Sequence, residues 1–389
     1  MKKIRLSLLM RVALAIILGV VFGHFMPVGI ARVFITFNAL FANFLSFSIP
    51  LIIVGLVTPA IGELGKGAGK LLAITAIIAY ASTLLSGFFT FTTCDLIFPH
   101  ILKASGTESL ISDSGVTLTP FFQVAMPPLM DVMTALLLSF VVGLGLSVIN
   151  GDTLKKAAID FKEIISMLIA KTIVPLLPFY IFGIFLNMTM SGKVFTIMGM
   201  FMKVIIMILI LHVIILSIQY FIAGLVQKRN PFKLFKNMLP AYATALGTQS
   251  SAATIPVTLA QTIKNNVKES IAVFTVPLCA TIHLSGSTMI ITGGSIAIMV
   301  LSGQPIEITS VIGFIFMLGI TMVAAPGVPG GAIMASLGIL STMLGFNETQ
   351  QALMIALCVS MDSIGTATNV TGDGAISLIV DKIAKDEGE

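Results

Sequence analysis

The sequence predicts an all-α integral membrane protein, with eight transmembrane helices and two re-entrant helical hairpins arranged as inverted repeats. Hydrophobic residues make up 57% of the 389 residues and charged residues only 10%. The mean hydropathy of +1.06 is far outside the range of soluble globular proteins. Long apolar runs recur and do not alternate with polar residues, which favours helices over the strands of a β-barrel. Two further apolar segments are interrupted by glycine, proline and small polar residues.

Six spans are predicted in the first part of the chain, at 12–26, 33–61, 71–98, 120–149, 163–190 and 204–226. The first has basic residues before an apolar run, as a signal peptide does. No Ala-x-Ala cleavage pattern follows it, so we expect a membrane helix there.

The last third of the chain repeats a pattern of hairpin and helix. Residues 232–262 are broken at "GTQSSAATIP", which leaves arms of about 10 to 15 residues, each too short to span. A span at 270–300 follows, then a second broken piece, 310–345, around "AAPGVPGGA", and a last span at 349–381. The hairpins enter from opposite sides, an inverted repeat that places a binding site near the membrane midplane. Broken backbone at that depth lines a cavity or is buried in protein, so the two tips are candidate cavity walls.

The placement of the basic residues explains the formal net charge of +5. They lie in short loops, as the positive-inside rule expects, so lipid is the predicted partner and nucleic acid is not. Only Arg32, Lys103, Lys193 and Lys203 fall on the face opposite to the others. We therefore expect a multi-pass protein of the cytoplasmic (inner) membrane with both termini in the cytoplasm. The three cysteines lie in apolar surroundings, which argues against a disulfide framework or a zinc site.

A polar stripe marks the last span. Asp362, Thr366, Asn369 and Asp373 are spaced four, three and four apart, which on a helix keeps them within roughly 60°. A carboxylate at the bilayer centre costs about 2.5 to 3.5 kcal/mol, so two on one face imply a cation, a substrate amine or water as partners. The alternative is a solvated loop or a polar network that only specifies packing.

Other polar positions add to this picture. The hydroxyls and amides of the first tip, residues 248–256, lie where a helix restarts, a setting that favours an anion such as a carboxylate. His283, within "TIHLSGST", either relays a proton or bonds a carbonyl group. No Gly-x-Ser-x-Gly elbow or metal-spaced His/Cys cluster occurs in the sequence, so the prediction is a transporter and not an enzyme.

On these motifs the chain resembles the dicarboxylate/amino acid:cation symporters, the glutamate-transporter family. The tips match the family as "TQSSAATIPVT" and "GVPGGAIM", and the last helix matches the pattern Asp-x-x-Arg-Thr-x-x-Asn-x-x-Gly-Asp except at one position. The resemblance implies secondary active symport, a homotrimer and an elevator-like movement. It also implies that residues 1–230 are mainly scaffold and trimerisation helices. The third and sixth helices join the transport core, 231–389, formed by hairpin 1, helix 7, hairpin 2 and helix 8.

The resemblance also implies the binding residues. Asp362 would hold the amino group of the substrate, and Asn369 with Ser251 its α-carboxylate. The implied substrate pocket comprises Gln249, Ser250, Ser251, Ser287, Val328, Pro329, Gly330, Asp362, Gly365, Thr366 and Asn369. One implied cation site contains Asn369 and Asp373, and a second contains Thr281 with carbonyl groups of Val323 and Ala325. Tyr80 and Thr83 would contribute to a third. His283 and Ser285, at positions of a further family motif, are also implied cation-binding residues.

Two departures from the family pattern shape the functional prediction. Gly365 stands where the pattern has its arginine, and Gln249 where an alternative arginine can stand. Burying the second carboxylate of an acidic substrate without a cation would cost several kcal/mol, so a neutral amino acid is predicted. The family motif Asn-Met-Asp-Gly-Thr reads His283-Leu284-Ser285-Gly286-Ser287 here. This predicts fewer coupled Na⁺ ions, with H⁺ on His283 as a further coupled ion.

The leading hypothesis is therefore Na⁺- or H⁺-coupled symport of a small neutral amino acid. The alternatives are a symporter of dicarboxylates or acidic amino acids such as glutamate and aspartate, and a protein that is chiefly an anion channel.

Overall fold

A computed structural model describes residues 8–65, 70–102, 118–149, 151–192, 194–325 and 329–386. Within these ranges all regular structure is helical, which confirms the all-α class. The helices are α1 Leu8–Gly23, α2 Val28–Gly65, α3 Lys70–Ile101, α4 Val132–Val148, α5 Thr153–Leu168, a π-helical segment Ile169–Ile173, α6 Val174–Met190, α7 Val194–Gln227, α8 Pro231–Thr248, α9 Ser251–Lys264, α10 Glu269–Ile282, α11 Ser285–Leu301, α12 Ile308–Ala324, α13 Gly331–Leu344 and α14 Glu348–Asp386.

Six helical segments among the described residues are long and apolar enough to cross a membrane: Val28–Gly62, Lys70–Ile101, Thr153–Met190, Ile197–Gln227, Glu269–Leu301 and Glu348–Ala384. Four shorter helices, α1, α4, α12 and α13, are also apolar. The multi-pass membrane class is thus supported by length and composition. The count of eight spans with two hairpins stays a prediction.

The fourth span begins later than the sequence predicted. Residues 118–131 are not helical, and α4 begins only at Val132. Pro127 and Pro128 explain the difference, because proline lacks the amide donor and disfavours helical backbone in the residue before it. Asp131 then caps α4 by accepting a hydrogen bond from the Thr134 amide at 3.3 Å.

The predicted span at 270–300 is interrupted. α10 ends at Ile282 and α11 begins at Ser285, with His283 extended at φ −110° and ψ 96°. No proline or glycine stands at the break itself, so the local sequence gave no signal for it. The interruption frees the first amides of α11 to bond groups outside the helix.

The packing of the helices separates into two groups. α1 packs on α6, and α2 packs on α4, α5 and α6. In the second group α14 lies between α7, α8, α10 and α11, and α3 packs against α11. α14 is buried along most of its length, and this is the helix that carries the polar stripe.

Candidate functional site

The polar stripe lies on the buried face of α14. Thr366, Asn369 and Asp373 are nearly inaccessible, and Asp362 is partly buried. Each of Asp362, Asn369 and Asp373 bonds a segment where a helix is broken. The four, three and four spacing therefore directs one helix face toward the irregular backbone of its neighbours.

Asp362 bonds the tip of the second hairpin. Its Oδ2 accepts a hydrogen bond of 2.9 Å from the backbone amide of Gly330. Gly330 has a φ of 75°, a left-handed conformation that favours glycine, and α13 begins at the next residue. Pro329 stands beside Gly330 in the same turn, and Val328 lies outside the described residues.

Asn369 caps the start of α11. Its Oδ1 accepts hydrogen bonds from the amides of Gly286 at 2.8 Å and Ser287 at 3.3 Å. Its Nδ2 donates to Ser287 Oγ at 3.0 Å. The predicted substrate residues Asn369 and Ser287 are thus in contact, and the Asn369 oxygen already bonds two of the free amides of α11.

Asp373 forms a buried pair with His283. Asp373 Oδ1 lies 2.9 Å from His283 Nδ1, and the two side chains are 1% and 0% exposed. The other oxygen, Oδ2, is buried without a hydrogen-bond partner among the described residues. An unbonded buried carboxylate oxygen suits a cation, because such ions bind oxygen ligands.

The second ring nitrogen of His283 is also engaged. Nε2 lies 3.1 Å from Ser82 Oγ, and Ser82 Oγ accepts a hydrogen bond of 3.1 Å from Gln219 Nε2. The same Gln219 nitrogen is 3.4 Å from Ser285 Oγ. In this arrangement neither ring nitrogen of His283 has a lone pair available to a cation, although the sequence placed His283 among the cation residues.

Ser82 and Gln219 were missed by the sequence reasoning. Ser82 stands between Tyr80 and Thr83, the two residues of α3 that were predicted to bind a cation. Gln219 is a polar residue inside the apolar helix α7, and a buried polar side chain at membrane depth is a signal of function.

The first tip is held by its own hydroxyl groups. α8 ends at Thr248, Gln249 adopts a φ of 52°, and α9 begins at Ser251. Ser250 caps α9 by accepting a hydrogen bond of 3.3 Å from the Ala253 amide. Ser251 is buried, and α9 packs on α14, but among the described residues no hydrogen bond joins Ser251 to the polar stripe.

The residues of the second predicted cation site lie at two helix ends. Thr281 is exposed in the last turn of α10, and its hydroxyl donates to Leu278 O at 2.7 Å. Val323 stands near the end of α12, and Ala325 caps that helix. Ile282 and Val323 line one cavity of about 270 Å³. The carbonyl groups at two helix C-termini give this region a partial negative charge.

The residues predicted to form a third cation site use their hydroxyls locally. Tyr80 Oη donates to Phe316 O at 3.2 Å, and Thr83 Oγ1 donates to Ala79 O at 3.0 Å. The structure does not join either hydroxyl to Asp373 through a hydrogen bond among the described residues.

Gly365 lies where α11 and α14 are in close contact. A Cβ atom on Gly365 would stand 2.7 Å from Ile290 Cδ1. A Cβ atom on Gly286 would stand 2.5 Å from Gly365 O and 2.7 Å from Thr368 Cβ. The space beside Gly365 is therefore filled by Ile290 and by the α11 backbone.

Comparison with known proteins gives concordant matches. The model of a family described as "Sodium:dicarboxylate symporter family" matches residues 8–383. Excitatory amino acid transporter 2 of Homo sapiens is 28% identical over 262 residues, which cover 64% of this chain and 45% of that protein. Excitatory amino acid transporter 3 of Mus musculus is 31% identical over 199 residues, 51% of this chain and 37% of that protein. These matches span less than half of the two mammalian proteins.

A bacterial relative is matched along its whole length. The serine/threonine transporter SstT of Acinetobacter baumannii (strain AYE) is 26% identical over 409 aligned positions, which cover 97% of each chain.

Proposed function

Because the chain belongs to the sodium:dicarboxylate symporter family, we propose that it is a secondary active transporter that couples Na⁺ entry to uptake of a small neutral amino acid. The observation that carries the choice of substrate is the filled space at Gly365. A side chain at this position would require Ile290 Cδ1 to shift, and Gly365 itself offers no charge to a second substrate carboxylate. The full-length match to a transporter whose name specifies serine and threonine agrees with this proposal.

The proposed recognition of the substrate uses α14 and the two tips. Asp362 binds the ammonium group through the oxygen that Gly330 does not occupy, or through both oxygens once the tip opens. Asn369 and the first turn of α9, which begins at Ser251, bind the α-carboxylate. Thr366, buried between Asp362 and Asn369, lines the same pocket.

Sodium is proposed as the main coupled ion and is itself a transported species. The free Oδ2 of Asp373 supports a cation site at the inner end of the stripe. A second cation site is supported by the ends of α10 and α12, near Thr281 and Val323, where helix C-termini carry partial negative charge. A proton on His283 is the alternative coupled species, since Asp373 Oδ1 and Ser82 Oγ can each accept from a ring nitrogen.

Movement of a transport core against a scaffold is proposed from the packing. α3 and α7 pack with the last third of the chain, whereas α1, α2, α4, α5 and α6 pack with one another. A Cβ atom on Gly330 would stand 3.7 Å from Leu8 Cδ2, at the start of α1. The basic residues before α1 support a cytoplasmic position for this end. A hairpin that enters from outside and reaches Leu8 supports a state in which the transport core is displaced toward the cytoplasm. A homotrimer is proposed from the family resemblance.

Uptake by proteoliposomes tests this function. Labelled serine, threonine, alanine, aspartate and succinate are offered under an inward Na⁺ gradient at equal pH, and then under a pH gradient without Na⁺. We expect Na⁺-dependent uptake of a neutral amino acid. Uptake of aspartate or succinate that serine and alanine do not inhibit would refute the neutral substrate. A current that needs no substrate would favour an anion channel.

A further inference from the structure

We infer that Gln219 and Ser82 hold His283 as the neutral tautomer protonated on Nδ1, and that His283 thereby positions Asp373 so that its Oδ2 faces the coupled cation. This inference rests on the proposed Na⁺ symport. It assigns His283 a positioning role in place of cation binding, and it adds Ser82 and Gln219 to the functional residues.

The tautomer follows from counting donors and acceptors along the chain of hydrogen bonds. In the structure the Gln219 amide nitrogen faces Ser82, and the amide oxygen is buried without a partner among the described residues, so in this orientation Ser82 Oγ accepts from Gln219 Nε2. The Ser82 hydroxyl hydrogen is then free to point at His283 Nε2, 3.1 Å away. If Nε2 accepts, the single ring proton of a neutral imidazole lies on Nδ1, where the acceptor Asp373 Oδ1 stands at 2.9 Å.

The fit around the imidazole supports a fixed orientation. His283 is fully buried, and Gln219 is 7% exposed. A Cβ atom on Gly372 would stand 2.7 Å from His283 Cε1 and 2.8 Å from Gln219 Oε1. Only the absence of a side chain at Gly372 lets the ring and the amide approach α14 this closely.

The geometry of the Asp373 carboxylate gives this arrangement a purpose. One carboxylate oxygen is satisfied by His283, and the other has no partner among the described residues. Groups that orient a liganding carboxylate through hydrogen bonds fix its plane and tune its affinity for the ion. Gln219, Ser82 and His283 form such a support, and their three bonds connect α7, α3 and the α10–α11 break to α14.

The sodium dependence of uptake tests the positioning role. Ser82→Ala and Gln219→Leu are expected to raise the half-saturating Na⁺ concentration about 10- to 100-fold, the usual effect of removing such a support. Maximal uptake at saturating Na⁺ should change far less. Ser86→Ala is the matched control, because among the described residues the Ser86 hydroxyl bonds only the Ser82 carbonyl of its own helix, at 2.8 Å. We expect the Na⁺ dependence of Ser86→Ala to equal that of the unmodified protein.

Two substitutions at position 283 distinguish positioning from simple loss of folding. His283→Asn retains an amide donor near the place of Nδ1, whereas His283→Leu does not. We expect the asparagine variant to recover part of the Na⁺ affinity that the leucine variant loses. Equal Na⁺ dependence in both, with normal yield and monodispersity, would overturn the inference.

A spectroscopic measurement tests the tautomer without transport. The protein has four histidines, and the ¹⁵N spectrum of the histidine-labelled protein, with His283→Asn for assignment, separates protonated from unprotonated ring nitrogens. We expect an unprotonated Nε2 in the unmodified protein and a mixture of tautomers in Ser82→Ala. A protonated Nε2 in the unmodified protein would refute the inference even if Na⁺ symport is confirmed. If no amino acid is taken up with Na⁺, the proposed function fails and the tautomer result stands separately.

Discussion

Replacing Gly365 by arginine tests whether the filled space beside this residue excludes acidic substrates. Its Cβ atom would lie 2.7 Å from Ile290 Cδ1, well inside the usual contact distance between carbon atoms, so Ile290 must move. Ile290 is buried inside α11. The single substitution Gly365→Arg is therefore expected to reduce stability, whereas Gly365→Arg combined with Ile290→Ala gives the new side chain room.

The magnitudes favour the double variant. Overpacking a filled core costs about 1 to 3 kcal/mol, and a buried guanidinium without an anion adds several kcal/mol. Truncating Ile290 removes the overpacking. A charge-assisted hydrogen bond from the arginine to a substrate carboxylate then contributes about 1.5 to 3 kcal/mol. This corresponds to a shift of roughly 10- to 150-fold in affinity toward aspartate over alanine.

The assay is ligand-induced thermal stabilisation of the purified protein by aspartate and by alanine. Competition by the same two compounds for uptake of the labelled neutral amino acid follows. Ile290→Ala alone is the control, and it should not gain aspartate binding. If Gly365→Arg binds aspartate and remains as stable as the unmodified protein while Ile290 is intact, the steric reasoning is wrong. If the double variant is folded but still prefers neutral amino acids over aspartate, position 365 does not face the substrate.

Three further substitutions test individual contacts. Gly286→Ala should lower the free energy of unfolding by at least about 1 to 3 kcal/mol, because its Cβ atom would meet Gly365 backbone; an unchanged thermal midpoint would contradict the close crossing of α11 and α14. Gly372→Ala should displace His283 and raise the half-saturating Na⁺ concentration, and a Na⁺ titration equal to that of the unmodified protein would argue against the tight fit. Asp381→Ala should cost about 1 to 3 kcal/mol, because the buried Asp381 Oδ1 accepts the Lys268 amide at 2.9 Å; denaturation in detergent measures this loss.

The sequence was most informative where local chemistry alone decides the structure. Proline and small polar residues interrupt both hairpins, and the structure breaks these segments at Gln249 and at the tip that contains Gly330. The helical spacing of the α14 stripe likewise follows from 3.6 residues per turn. These features depend on neighbours within a few positions of the chain.

What the sequence did not reveal depends on distant contacts. Ser82 and His283 are 201 residues apart, and Gln219 and Ser82 are 137 apart. Ser82 has no local property that distinguishes it from Ser86, another serine of α3, whose hydroxyl bonds a carbonyl group of its own helix. The break at His283 was missed for the same reason, since the bond to Asp373 and the capping of α11 by Asn369 stabilise the extended backbone.

The break at His283 also offers a physical route for coupling between the cation and the substrate. Asp373 bonds His283, and Asn369 bonds the amide of Gly286, only three residues further along the chain. A cation drawn to Asp373 Oδ2 must shift the carboxylate, the imidazole and the first turn of α11 together, because the interior is tightly packed. That turn contacts Asn369, the residue proposed to bind the α-carboxylate. Linkage then requires Na⁺ to raise substrate affinity by the same factor by which substrate raises Na⁺ affinity. Asn369→Ala should reduce this common factor in titrations of substrate affinity with and without Na⁺, whereas an unchanged factor would show that coupling does not pass through Asn369 and α11.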